Sequence, residues 1–520
     1  MKEITSNTSA FEDLIKGNYL YVDKTEYIWN LVKSYKGFYF LSRPRRFGKS
    51  LTVSTLEAVF RGDKDLFKGL AIYNKPYEWK KYPIIHLDLG KGIYSSLEQT
   101  SSALSNIVSR CAQEYGIELK RDIPNEMFQD LIIQLKEKNN SKVVILVDEY
   151  DKPIVDSLGK PYAKDILELL KAFYTVIKSY DEDERFAFIT GVSKFSQVSL
   201  FSGMNNPDDL SMLPDYATMF GYTQTELESY FSKYIDITAK ELDMPRDVFL
   251  QELKKMYDGY RFSKSAETVY NPVSIAKFFK AREPDFSYYW FETGTPDFLL
   301  DYCKKTKYDF EKILTEAVPA ISFSAYDIDN ISPSALLFQT GYLTIKDAFT
   351  KNRRTYYQMQ FPNDEVAWAF EVYLLKAYTG VQTEDITTLA SSLVDSIATG
   401  NADEVMALIK SFFAKIPYPI QEDEKYYQSL FYAIFILLKV DIEVEVCTND
   451  GRIDATSAAG DWRFIFEFKL NKTAEIALDQ IEKKEYFQKY RDSGKRIMLV
   501  GANFSFEKRQ ITDWIAKEYK

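Results

Sequence analysis

The chain has 520 residues, 46% of them hydrophobic, and a formal net charge of −10, so length alone suggests three or four domains with sizeable cores. Its three cysteines, Cys111, Cys303 and Cys447, stand far apart, and His86 is the single histidine, which excludes a disulfide framework and a zinc site. The acidic balance excludes a generally basic coat for nucleic acid, so any such contact must use local patches.

The polar start MKEITSNTSAFEDL does not read as an export signal, and the longest apolar helical run, SLFYAIFILLKV, is too short to cross a bilayer. A cytoplasmic location without a membrane partner is expected. The first chemical motif follows the strand-like GFYFLS: Arg43-Pro44-Arg45-Arg46-Phe47-Gly48-Lys49-Ser50 runs into the amphipathic helix LTVSTLEAVF. Strand, loop and helix make a phosphate-binding unit of Walker A type. Backbone amides around Gly48, the Lys49 ammonium and the Ser50 hydroxyl would hold phosphates and Mg²⁺, and Arg45 or Arg46 would help neutralise them. Arg43 stands where the usual pattern has its first glycine.

The apolar strand YPIIHLDL comes next, with His86 read as a core or strand-end residue. After it KVVILVDEYD is an almost uninterrupted apolar run, as in a strand buried on both faces of a parallel sheet. Asp148 at its end would bind the nucleotide's Mg²⁺ and Glu149 would polarise the attacking water. RFAFITGVSKF is a further strand, whose Thr190 would sense the γ-phosphate. A strand between the two motifs and the Asp-Glu pair after the second are the pattern of the ATPase branch with an additional catalytic glutamate.

Residues 205–215 read as a loop leaving this sheet, and FGYTQTELESYFSKY opens a helical region. From Ser332 the pattern is helix, strand, basic turn, strand, helix, a winged-helix-like element with Lys351, Arg353 and Arg354 at the tip, where phosphate contact is one reading and plain solvation the other. The 38 tyrosines and 37 phenylalanines are read as core filling.

Near the C-terminus the helix-like EKYYQSLFYAIFILLKV presents Glu424. Then Ile453 to Lys469 reads IDATSAAGDWRFIFEFK: Asp454 ends a short strand, SAAGD makes a hairpin-length loop, and Glu467 and Lys469 share one face of a second strand with Phe468 on the other. Two carboxylates and an ammonium converging on one spot suit metal-assisted phosphodiester cleavage, with Asp454 and Glu467 (Glu424 as a further ligand) holding Mg²⁺ or Mn²⁺ and Lys469 assisting the attacking water. The spacing resembles the PD-(D/E)XK nuclease signature. A helix, AEIALDQIEKKEYFQKY, carrying Gln480 and Tyr486, and the strand RIMLVGANF follow.

YVDKT (Tyr21 to Thr25), RPRRFGKS (Arg43 to Ser50), VDEYDKP (Val147 to Pro153), ITGVSKFS (Ile189 to Ser196), YDGYRF (Tyr257 to Phe262), YNP (Tyr270 to Pro272), TGYLTI (Thr340 to Ile345), GRID (Gly451 to Asp454) and EFK (Glu467 to Lys469) together resemble a bacterial AAA-ATPase-like family. Its members join a P-loop domain to a C-terminal PD-(D/E)XK nuclease-like domain. The resemblance spans nearly the whole chain and implies that the Arg-Pro form of Walker A is usual. The family often has Tyr-His after the glutamate of the nuclease helix, where this chain has Tyr427-Gln428.

The expected architecture is therefore α/β: a P-loop ATPase domain with a parallel sheet over 1–225, a helical middle region over 226–330, a winged-helix-like and helical linker over 331–420, and the nuclease-like α/β domain over 421–520. The expected activity is ATP binding and hydrolysis controlling a Mg²⁺-dependent nuclease, with DNA or RNA as partner and room for a homo-oligomer. A nucleotide-gated nucleic-acid-binding switch, or an interaction scaffold without cleavage, is the alternative.

Overall fold

The computed structural model describes residues 1–194, 207–290, 316–323, 332–415, 444–446, 453–505, 507–508 and 510–519, with the backbone alone at 378, 444–446, 453–455 and 489. It separates into two compact units, one made of Met1–Thr293 with Glu316–Val366, the other, in its described part, lying within Ala367–Lys520.

The first unit is built on five parallel strands, β1 (Gly37–Ser42), β2 (Ile84–Asp88), β3 (Val143–Asp148), β4 (Glu184–Gly191) and β5 (Asp208–Asp209), in the order β2-β3-β4-β1-β5. All six residues of β3 and all eight of β4 are buried, as the apolar runs require of strands covered on both faces. Because the strands are parallel, their carboxyl ends share one edge, where such sheets bind ligands. Asp88 lies beside Asp148, and Ser42 beside Gly191.

The chain then enters helices Gln224–Tyr230, Ser232–Glu241, Arg246–Tyr257 and Pro272–Lys280. They close around their own core of Leu227, Phe231, Phe249, Leu253, Ile275 and Phe278, into which Ile4 and Val22 also pack. Thr223 starts the first of them with a capping box to Glu226. Helix Pro333–Thr340 precedes a sheet of β6 (Val318–Pro319), β7 (Thr344–Lys351) and β8 (Arg354–Gln360) in the order β6-β8-β7, and helix Asp364–Thr379 follows. This is the winged-helix-like element, with its turn at Asn352 and Arg353.

The second unit holds the sheet β13-β12-β11-β10-β9, made of β9 (Val444–Val446), β10 (Ile453–Ala459), β11 (Trp462–Leu470), β12 (Arg496–Ser505) and β13 (Gln510–Tyr519). Only β11 and β12 pair in parallel. The segment SAAGD is shorter as a loop than expected: β10 continues to Ala459, which pairs with Trp462, leaving a two-residue turn. Small side chains there are strand residues because the ladder supplies the partners that their sequence does not advertise.

Along β11, Ile465 packs with Ile481 of helix Ala474–Lys484, while Phe464, Phe466 and Phe468 form a stacked row on the alternate positions. Gly501 of β12 lets that helix approach: a Cβ there would come within 2.4 Å of the Leu478 nitrogen.

Candidate active sites

The phosphate loop leaves β1 and enters helix Lys49–Phe60 through Gly48, whose φ of 93° is left-handed. Space before Gly48 is open, since an added Cβ would meet nothing within 4 Å. Lys49 is buried, and its Nζ donates to the carbonyls of Arg43 and Pro44 at 3.0 and 2.9 Å. Burial lowers its pKa against the opposing pull of Asp148 and Glu149. The ammonium is thus held inside the loop by two neutral acceptors, each a weaker partner for it than an anion would be.

Ser50 hydrogen-bonds Asp148, whose carboxyl is pushed up by burial against that bond and the Lys49 charge. Glu149 turns out of the strand with φ 52°, a conformation that costs about 1–3 kcal/mol and tends to persist at functional sites. Burial raises its pKa as well. A cavity of about 510 Å³ is lined by Glu149, residues 45–52, residues 5–9, Tyr21 and Pro272, a size that suits a nucleotide-sized ligand. Arg45 and Arg46 line it from the loop, Arg45 exposed and Arg46 half-buried.

Arg43, at the position of the missing glycine, does not reach into this cavity. It is 1% exposed and donates to the carbonyls of Ser42, Ser211 and Tyr216. Burial drives its pKa down to about 9. Phe47 packs edge-on against Tyr260 and Phe262, so the YDGYRF segment supports the loop.

Thr190 is fully buried and donates its hydroxyl to the Leu41 carbonyl at 2.8 Å. Two carboxylates were not singled out from the sequence. Asp151 accepts from the Ser193 and Val192 amides and from the Ser193 hydroxyl, clasping the end of β4 to the DEYD turn. Asp88 ends β2 beside Asp148 and accepts from the Gly90 amide at 3.0 Å. The signal for Asp88 was present: PIIHLD, like VVILVD, is an apolar strand ending in a carboxylate.

In the second unit Glu467 and Lys469 are 0% and 3% exposed. Lys469 Nζ donates to Glu467 Oε1 and to Gln480 Oε1, both at 2.6 Å, which brings Gln480 from helix Ala474–Lys484 into the cluster. Position 454 sits directly across the ladder from Glu467. Among the described residues Glu467 Oε2 is buried without a hydrogen-bond partner, an orphaned acceptor that a divalent cation would satisfy. Glu424, Tyr427 and Gln428 lie outside the described residues. Among the described residues no three His, Cys, Asp or Glu side chains gather at ligand spacing, and no helix is long and apolar enough to cross a membrane.

A family model described as a predicted AAA-ATPase matches residues 6–201, and a model of the PD-(D/E)XK nuclease superfamily matches residues 422–514. A protein described as "Uncharacterized protein in vnfD 5'region" of Azotobacter chroococcum mcd 1 is 36% identical over 529 residues, covering 99% of each chain. The ORC2 protein of Aeropyrum pernix, solved in ADPNP-ADP complexes, is similar over 81% of this chain and 85% of its own, at 10% identity and a TM-score of 0.29, a superposition too partial to bear on fold or function. With both family models in their expected order and a full-length relative beside them, the chain belongs to the family that joins a predicted AAA-ATPase domain to a C-terminal domain of the PD-(D/E)XK nuclease superfamily.

Proposed function

We propose that the protein binds and hydrolyses ATP in its first unit and cleaves nucleic-acid phosphodiesters in its second, with the nucleotide state controlling cleavage. The cytoplasm is the proposed location, and 1–225, 226–330, 331–420 and 421–520 are the proposed functional segments. The observation that carries the nuclease reading is the orphaned Glu467 Oε2 beside a Lys469 ammonium held by two acceptors.

In the nucleotide site Lys49 leaves the Arg43 and Pro44 carbonyls for the β- and γ-phosphates. Ser50 and Asp148 would hold the nucleotide's Mg²⁺, and Arg45 and Arg46 would offset phosphate charge from the cavity wall. Glu149, with its pKa raised by burial, takes the proton of the attacking water. Thr190, at the end of β4 with its hydroxyl on the Leu41 carbonyl, is the proposed sensor of the γ-phosphate.

In the nuclease site Asp454 and Glu467 would hold a divalent ion, Mg²⁺ or Mn²⁺, with Glu424 as a further ligand. When bound, such an ion supplies Lewis acidity to the phosphate and lowers the pKa of its water. Lys469, kept in place by Gln480, puts a positive charge beside the developing phosphorane. Incubating the purified protein with labelled DNA and RNA, with and without ATP and with Mg²⁺ or Mn²⁺, tests the reading. Metal-dependent cutting that responds to ATP is expected; a protein that turns over ATP and cuts neither polymer would leave only the switch or the scaffold.

A further inference from the structure

The β7–β8 hairpin carries a surface that neither catalytic site uses. Its register pairs Lys351 with Arg354, Phe349 with Tyr356 and Asp347 with Gln358, and residues directly opposite and two apart share a face. The other face is core, and a β-bulge between Ile345 and Asp347 shifts the alternation so that Ile345 belongs to it: Ile345 and Met359 are each 1% exposed, and Tyr357 packs edge-on against Phe323. Alternation would place polar side chains outside. Instead Phe349 is 44% exposed and nearly parallel to Tyr356, with ring centroids 5.7 Å apart and 13° between planes.

Cations border these rings. Lys351, Arg353 and Arg354 are exposed, and none is in an ion pair among the described residues. The carboxylate on this face, Asp347, accepts from the Ala348 amide. The turn itself is informative. Asn352 and Arg353 have φ of 51° and 62°, the two-residue type for which Asn-Gly is favoured. An arginine held where glycine would be strain-free argues for a use of its charge.

We propose that this outward face binds a single-stranded nucleic acid, with bases stacking on Phe349 and Tyr356 and phosphates on Lys351, Arg353 and Arg354. Stacking on these rings takes the open face of a base, which the interior of a duplex does not offer, and the cation cluster on a chain of net charge −10 favours a polyanion. The inference rests on the reading that the protein acts on nucleic acid and names the form it would grip.

The test is fluorescence anisotropy of the full chain in EDTA with labelled single-stranded oligonucleotides, DNA and RNA, and with a blunt duplex. Phe349→Ala with Tyr356→Ala should weaken single-strand binding about 10-fold or more, leaving the salt slope and any duplex binding unchanged, while Tyr356→Phe should keep the affinity. Replacing Lys351, Arg353 and Arg354 with Gln should weaken binding and flatten its salt dependence. Single-strand affinity unchanged in the aromatic variant, or single strand and duplex weakened alike, overturns the stacking face. Cleavage by the wild type in Mg²⁺ reports on the nuclease reading separately: a protein that cuts but ignores the aromatic change loses only this inference, and one that binds through the face without cutting loses only the nuclease.

Discussion

The Arg43 guanidinium lies 4.3 Å from the centre of the Phe262 ring, which ties the start of the phosphate loop to a segment more than two hundred residues further along the chain. With its three carbonyl acceptors, Arg43 is a brace behind the loop, on the side away from the cavity. Arg43→Gly, which restores the usual glycine, should therefore not raise ATP turnover. It takes the guanidinium away from the carbonyls of the buried Ser42 and Ser211, each loss costing about 1–3 kcal/mol, partly offset by removal of a desolvated charge, while the Tyr216 carbonyl keeps the Met219 amide. A net loss of about 3 kcal/mol, seen as a Tm lowered by several degrees, is expected; a glycine variant as stable as the wild type and faster in turnover would contradict the brace.

Lys49→Ala and Glu149→Gln separate binding from chemistry. The first should abolish measurable ATP binding by calorimetry. The second should bind ATP as the wild type does while releasing phosphate about 10²-fold more slowly or worse, the usual range for loss of a general base.

Glu365 gives a pH dependence. It is fully buried, accepts from Ser274 Oγ at 2.9 Å and the Trp290 amide at 2.8 Å, and burial raises its pKa to about 7. A carboxyl with a folded pKa above its unfolded value of about 4.5 binds more protons when folded, so stability falls as pH rises between about 4.5 and 7. The loss is about 3 kcal/mol at pH 8 relative to pH 4.5. Glu365→Gln should flatten the Tm of the first unit across that window; parallel pH curves for variant and wild type would remove Glu365 as the cause.

Gly501→Ala probes the nuclease frame without touching a charged group. The new methyl would meet the Leu478 nitrogen at 2.4 Å and the Ala474 carbonyl at 2.6 Å, so helix Ala474–Lys484 must lift and draw Gln480 from Lys469. Cleavage should drop while ATP turnover persists. Wild-type cleavage in this variant would mean that the helix position does not matter to the site.

What was legible in the sequence follows from how local each feature is. Strand, GKS and helix are contiguous, and VDEYD closes an apolar run, so the candidate nucleotide site could be read from short windows. Glu467 and Lys469 were legible through strand alternation, and Gln480 lies on the helix that follows. Arg43 was not, because Ser211, Tyr216 and Phe262 approach it only in the folded chain. Nor was Asp151, whose partners Val192 and Ser193 come just after a different strand. Several of the recognised segments serve as fasteners: Asn271 of YNP caps helix Pro272–Lys280, and Lys24 of YVDKT bonds Thr218 and Glu226. The β10 extension was missed because SAAGD has the composition of a turn. The exposed Phe349–Tyr356 pair was hidden among aromatics read as core, since burial depends on register and not on residue type.

The central claim is that one chain holds two separate active sites, and Glu467→Gln tests it most directly. Cleavage of labelled nucleic acid in Mg²⁺ and ATP turnover are measured on the same preparations of variant and wild type. Removal of the carboxylate charge that holds the ion should reduce cleavage to background while ATP turnover stays at the wild-type rate. A Glu467→Gln protein that cuts as fast as the wild type would contradict the account.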